Sequence, residues 1–179
     1  MGWQTNSSRV VYENPWIRVE DRDVINPAGN PAKYGVIHFK NKAIGVIALD
    51  HQRNIYLVGQ SRYALDQYSW EIPEGGCPEG ELLLDAAKRE LAEETGLRAQ
   101  TWQALFTMHL SNSVSDEQAH IYLATELSQG IQNLEESEDI SVKKISLDKA
   151  LQMIDQGEIT DAITIAALLK IERLLLIEA

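Results

Sequence analysis

The chain has 179 residues, enough for one domain with a small appendage and a sizeable core. With 44% apolar and 24% charged residues it has the make-up of a globular protein, and no apolar run is long enough to span a membrane. The formal net charge of −11 repels a polyanion at long range and argues against a nucleic-acid binder. The one cysteine, Cys77, permits no intrachain disulfide, and residues 1–10 are polar, unlike a secretory signal. A cytoplasmic protein is expected, with no membrane partner.

Residues 10–12 and 16–19 read as short strands separated by Asn14-Pro15, a turn signal. Residues 26–31 look like a hairpin loop, and 34–39 like the returning strand. Residues 1–40 are therefore expected to form a small antiparallel unit ahead of a main body at 41–179. Two strongly apolar strands follow at 43–49 and 55–58, with a turn between them. A polar, aromatic loop is expected at 60–70. The stretch 73–80 is too rich in glycine and proline to be helical throughout. From 81 to 95 the pattern is helical: Leu84, Ala87, Leu91 and Thr95 recur at spacings of three and four, and Gly96 is a plausible stop. Strands are expected at 102–110 and 119–125, with a loop at 111–118. A polar, acidic loop spans 130–139, and a further strand 140–145. Two helices close the chain. One spans 147–156 with Ser146 as N-cap, and the other 160–177 with Ile163, Ala166, Ala167, Lys170, Ile171 and Leu174 on one face. This order predicts an α/β fold, a mixed sheet with helices on its faces.

Glu90 and Glu94 lie four apart, one above the other on the predicted helix, and Glu93 borders the same face. Like charges at this spacing repel unless something neutralises them. A pair of glutamates four apart is most often a solvated face. Here a glycine-rich turn precedes the helix and can bring a backbone carbonyl toward the same point, and Arg89 can hold Glu93 by a charge-assisted hydrogen bond. Carboxylate oxygens are the preferred ligands of magnesium.

The segment 75–97 resembles the Nudix box at every defined position: Gly75, Glu81, Arg89, Glu90, Leu91, Glu93, Glu94, Gly96 and Leu97. The resemblance implies the Nudix α/β/α sandwich with a mixed sheet, here preceded by the small antiparallel sheet. It implies Mg2+, with Mn2+ as a possible substitute, held by Glu90 and Glu94. Glu93 would be a ligand or would support one, and Arg89 would orient these carboxylates. The backbone carbonyl of Glu74 would be a further ligand, and Glu81 would anchor the start of the helix. The implied chemistry is attack of water on one phosphorus of a pyrophosphate. A bound cation also reconciles an acidic protein with an anionic substrate, because it inverts the local field.

The lead-in Trp70-Glu71-Ile72-Pro73 and the preceding Gln60-Ser61-Arg62-Tyr63 resemble the Nudix branch that cuts ADP-ribose and nucleoside-diphosphate sugars. That likeness makes Arg62 a candidate for gripping phosphate, a task that suits guanidinium. It places the base in the acidic loop before the last strand, at Glu138, with Glu136 its neighbour and Glu117 the fallback. It also implies a homodimer built on the N-terminal sheet, where Trp16 and Tyr34 could stack on a base. Packing is the plainer role for both rings. One departure stands out. The branch commonly carries Ser-Pro-Gly after the box, where this chain has Ser111-Asn112-Ser113 followed by Asp116-Glu117. GDP-mannose or ADP-glucose therefore rank beside ADP-ribose as expected substrates. The rivals are another Nudix pyrophosphohydrolase, acting on dinucleoside polyphosphates or nucleoside triphosphates, and a non-catalytic Nudix module that senses a nucleotide. His38, His109 and His120 show no metal-ligand spacing and read as structural, and Cys77 as incidental.

Overall fold

In the computed structural model the structure describes residues 2–132 and 139–177. A three-stranded antiparallel sheet comes first: β1 (Gln4–Glu13), β2 (Ile17–Ile25) and β3 (Pro31–Phe39), in that order. The β2–β3 turn is closed by the Asn26 side chain, which accepts from the backbone of Ala28 and Asn30, with Gly29 at φ 86°.

The main body is built on β4 (Lys42–Ala48), β5 (Asn54–Arg62), β6 (Gln67–Glu71), β7 (Glu74–Cys77), β8 (Leu97–His109), β9 (Gln118–Gln129) and β10 (Ser141–Ser146). Four of these form a mixed sheet in the order β7-β4-β9-β8, with β4 and β9 parallel, and the other three a sheet in the order β10-β5-β6. Among the described residues three helices complete the fold: α1 (Leu83–Thr95), α2 (Leu147–Asp155) and α3 (Ala162–Ile177).

Strand β4 explains the layering. Its residues are buried on both faces, so the sequence reads as an unbroken apolar run. Ile44, Val46 and Ala48 point to one side and pack with Ala86, Ala87 and Leu91 of α1. Ile47 and Leu49 point to the other and pack with Met153 of α2 and Ile163, Leu168 and Ile171 of α3. Each such fully buried aliphatic side chain contributes about 1.5–3 kcal/mol. The result is the expected helix–sheet–helix sandwich.

Two expected loops contain strands. Residues 60–70 form most of a β5–β6 hairpin, turned by Leu65 N–H to Arg62 O (3.0 Å) with Asp66 at φ 51°. Its polar text hides an alternation in which Ser69 and Glu71 are buried. Within 73–80, β7 pairs antiparallel with Lys42–Gly45 of β4. Strands β8 and β9 also run past their expected ends, because their polar outer halves pair with each other. Helix α1 starts at Leu83 and stops as expected at Gly96, which takes a left-handed φ of 71°. A Cβ there would also come within 2.9 Å of the Gln132 nitrogen, so glycine is required twice over. Ser146 caps α2 by accepting from Lys149 N–H.

Candidate active site

The carboxylates of α1 are not on a solvated face. Glu94 is 1% exposed and Glu90 7%, both on the side of the helix that packs against the sheet beside Ala87 and Leu91. Burying ionised carboxylates is costly unless they are paired or hold a cation. The strand β7 approaches this face closely. A Cβ on Gly75 would fall 2.2–2.3 Å from the Glu90 carboxylate, so that carboxylate occupies the space which only glycine leaves open. Glu74 N–H donates to Glu94 Oε2 at 2.9 Å, which ties β7 to the helix.

Arg89 organises the box. Nε donates to Glu81 Oε1 (3.0 Å), and Nη2 to Glu81 Oε2 (2.9 Å) and the Gly76 carbonyl (2.8 Å). Nη1 donates to Glu90 Oε1 (2.7 Å) and Glu93 Oε2 (3.0 Å). The hydrogen bond from Arg89 holds the Glu81 carboxyl below its ordinary range, and Glu81 leads the groups that raise the guanidinium above its own.

A second cluster stands outside the box. Arg62, on β5, donates through Nε to Glu71 Oε1 (2.9 Å), and through Nη2 to Glu71 Oε2 (2.5 Å) and Glu74 Oε1 (2.9 Å). Glu71, on β6, is 3% exposed. Burial alone would lower the Arg62 guanidinium, but the bonds and charge of Glu71, with Glu74 and Glu94, raise it. Glu74 is pushed well above the carboxylate range by burial, and further by the charges of Asp161 and Glu71, against the pull of Arg62. Its Oε2 is shut off from solvent with no hydrogen-bond partner among the described residues.

These residues border a cleft of about 390 Å3, lined by Trp16 and Phe39 of the N-terminal sheet and by Lys42, Arg62, Glu74, Gly75 and Glu117 of the main body. The structure thus brings Arg62, Trp16, Glu74 and Glu117 together, with Arg89, Glu90, Glu93 and Glu94 grouped behind Gly75 and Gly76. It does not bring Tyr34 to the cleft of its own chain: Tyr34 stacks edge-on against Trp3 at 5.1 Å and its hydroxyl donates to the Ser113 carbonyl. Glu136 and Glu138 lie outside the described residues. Burial pushes the Glu117 carboxyl above its ordinary range. Cys77 is buried, its thiol pushed up by that burial, and its Sγ faces the Glu81 carbonyl at 3.5 Å.

The sequence reading assigned no role to Glu71, Phe39 or Asp161. Glu71 stood in a quoted motif, but only the β5–β6 hairpin shows that it faces Arg62.

The donor set suits a hard divalent cation: the buried carboxylates of Glu90 and Glu94, and Glu74 Oε2, which has no hydrogen-bond partner among the described residues. Among the described residues no three His, Cys, Asp or Glu side chains converge on one point.

Residues 39–168 match the NUDIX domain family, and residues 3–37 match the nucleoside diphosphate sugar hydrolase N-terminal domain. An ADP-ribose pyrophosphatase of Bacillus subtilis is 30% identical over 92% of this chain and 90% of its own length. One from Mycobacterium tuberculosis is 31% identical over 94% and 83%. A methanol dehydrogenase activator of Bacillus methanolicus is 31% identical over 92% and 89%. The crystal structure of an ADP compounds hydrolase superposes with a TM-score of 0.90 at 18% identity, covering 100% of this chain and 97% of that one, which shows the shared fold. The complete box, folded so that Glu90 and Glu94 are buried behind a cleft, and a family match over most of the chain lead to one conclusion: this chain belongs to the Nudix family and is a hydrolase of phosphoric anhydrides.

Proposed function

We propose that this enzyme hydrolyses the pyrophosphate of a nucleoside-diphosphate sugar of the ADP-ribose, GDP-mannose or ADP-glucose type, giving a nucleoside monophosphate and a sugar phosphate. One observation carries the reading: Trp16 and Phe39 share a single cleft of about 390 Å3 with Arg62, Glu117 and the Glu74–Gly76 stretch that backs onto the Glu90 and Glu94 carboxylates. That volume lies in the range of small-molecule sites, and rings beside an arginine suit a ligand with a base and phosphates. The two relatives named ADP-ribose pyrophosphatase, aligned over nearly the whole chain, support it. Relatives named RNA pyrophosphohydrolase align over only 31–40% of the chain, so they support little beyond the box.

Arg62, clamped by Glu71 and Glu74, would orient phosphate oxygens, and Trp16 would pack on the base. Glu90 and Glu94 would hold Mg2+, or Mn2+ in its place, with the Glu74 backbone carbonyl, and Arg89 would fix Glu90 and Glu93 around them. When bound, such an ion neutralises phosphate oxygens and lowers the pKa of water. Glu138 would take the proton of the attacking water as that oxygen bonds to phosphorus and the bridging P–O bond breaks. Glu117 is the alternative base: it lines the cleft, and its raised pKa suits a proton acceptor.

The N-terminal sheet, residues 1–40, would serve base contacts and a homodimer beside the catalytic body at 41–179. Every residue of β1 is exposed, including Val10, Val11 and Tyr12, which leaves a face for a second copy. Among the described residues no helix is long and apolar enough to cross a membrane. A cytoplasmic place completes the proposal.

The test is a Mg2+-dependent panel of ADP-ribose, GDP-mannose, ADP-glucose, NADH and dinucleoside polyphosphates with products identified. A nucleoside monophosphate and a sugar phosphate are expected from at least one sugar. Pyrophosphate release from a triphosphate, with no sugar cleaved, would overturn the substrate assignment. For the base, Glu138→Gln should lower turnover at least about a hundredfold with little change in metal affinity. If Glu117→Gln does so instead, the base is Glu117.

A further inference from the structure

The N-terminal sheet is sewn to the loop between β8 and β9. Ile37 N–H donates to the Val114 carbonyl (2.8 Å), Asp116 N–H to the Ile37 carbonyl (3.2 Å), and Ile37 and Ser115 form an isolated parallel bridge. The Asp116 carboxylate then grips β3: Oδ1 accepts from Phe39 N–H at 3.0 Å, and Oδ2 faces His38 Nδ1 at 2.5 Å. With Nδ1–H donated to Asp116, Nε2 of His38 is left to accept from Arg22 Nη2 at 3.0 Å, so one neutral tautomer satisfies both contacts. Arg22 in turn donates through Nε and Nη2 to Glu20 Oε2 (2.9 and 2.7 Å), which also accepts from Ser8 Oγ at 2.6 Å. This chain of bonds crosses from β1 through β2 and β3 to the loop.

Neither Asp116 nor His38 lines the cleft, but their chain neighbours Glu117 and Phe39 do. We propose that Asp116 is a positioning residue for the substrate cleft: its carboxylate fixes the Phe39 wall on β3 and Glu117 on the loop in one geometry, with His38 holding that carboxylate. The inference rests on the cleft being the substrate site. Its energetics make it separable from folding. The Asp116 side chain is 51% exposed, and a hydrogen bond this exposed contributes little to stability. The same bonds restrict where two walls of a binding site stand, and placement there is worth far more.

The experiment compares Asp116→Ala and Asp116→Asn with the wild type by steady-state kinetics, thermal unfolding and amide hydrogen exchange. In Asp116→Ala the Phe39 amide should lose protection and KM should rise about tenfold, the equivalent of one charge-assisted hydrogen bond. The rise in KM should exceed any fall in kcat, with the unfolding midpoint little changed. Asp116→Asn keeps an acceptor for Phe39 N–H, but donating to His38 Nδ1 forces the tautomer whose Nε2–H faces the Arg22 donor, so KM should recover only in part and lie between wild type and Asp116→Ala. An unchanged KM in Asp116→Ala overturns the proposal, whether or not exchange at Phe39 rises. So does a loss of stability large enough to account for the kinetic change. If the wild type cleaves a different phosphoric anhydride, the proposed substrate fails, and the same KM comparison on that anhydride still decides the role of Asp116.

Discussion

Two arginines are each clamped by carboxylates, Arg89 inside the box and Arg62 outside it. Arg89 makes five hydrogen bonds through Nε, Nη1 and Nη2, as many as a guanidinium has N–H groups. Nothing is left over for a substrate, so its work is to hold Glu81, Glu90 and Glu93 and the β7 backbone in register. Arg62 directs Nε and Nη2 at Glu71 and Glu74, and among the described residues nothing accepts from its Nη1. It also lines the cleft, which Arg89 does not. The same side chain in similar company is saturated in one place and, among the described residues, keeps donors unspent in the other. Being clamped therefore does not disqualify an arginine from binding phosphate: the count of unspent donors does.

Glu94 stands between the two clusters, bonded to Glu74 N–H and contributing to the charge around Arg62. Glu94→Gln is expected to give the largest effect, a fall in turnover of at least about a hundredfold. Steady-state kinetics at saturating metal checks it, with circular dichroism confirming the fold. Unchanged turnover would remove the metal-site reading and leave the two arginines as two structural clamps.

The arginines themselves should fail in different ways. Arg62→Ala strands Glu71, which is 3% exposed. The variant should lose about 3 kcal/mol of stability, the low end for a broken buried pair because Arg62 is itself partly exposed. Arg62→Lys keeps the charge and recovers part of that loss in urea unfolding. It should still raise KM about tenfold, because an ammonium cannot reproduce the fork. Arg89→Lys should instead lower kcat about tenfold to a hundredfold at nearly constant KM, as expected when metal-directed carboxylates lose their support. Identical KM and kcat signatures in the two lysine variants would break the distinction.

The same contrast explains what could be read from the sequence. The box was legible because its chemistry demands fixed residue types at helical spacing, and the apolar run of β4 was legible because both its faces are buried. The Arg62–Glu71 pair was not, since it is a cross-strand contact inside a hairpin whose polar residues look like a loop. Asp116 was harder still. Its partner His38 is 78 residues away, and only the packing of the N-terminal sheet against the β8–β9 loop brings them together. Tyr34 is a candidate for base stacking because the resemblance brings aromatic residues of the N-terminal sheet to the base, and in the fold its hydroxyl reaches Ser113.

A third arginine, Arg22, extends the comparison to acid. Its partner Glu20 is lowered from 4.5 to about 2, first by the Ser8 hydroxyl and then by Arg22, against the opposing pull of burial. A depressed carboxylate stabilises the fold fully above its unfolded value, and that contribution is lost as pH falls from about 4.5 toward 2. Glu74 has the opposite sign. Its folded value is raised, so its contribution is present below 4.5 and is lost as pH rises through the folded value. In the presence of a chelator, the stability difference between wild type and Glu20→Gln should grow as pH rises from 2 to 4.5 and then level off. Measured against Glu74→Gln, the wild type should lose ground as pH rises above 4.5. Urea midpoints across pH check both. Magnesium added at pH 7 should narrow the Glu74→Gln gap, because burial leads in raising Glu74 and a cation among these carboxylates offsets the charges of Asp161 and Glu71 that add to it, and should leave the Glu20→Gln gap as it was. Equal responses of both gaps to magnesium would mean that the ion acts by general screening, and the cleft would lose its claim to be the place where charge is left waiting for a partner.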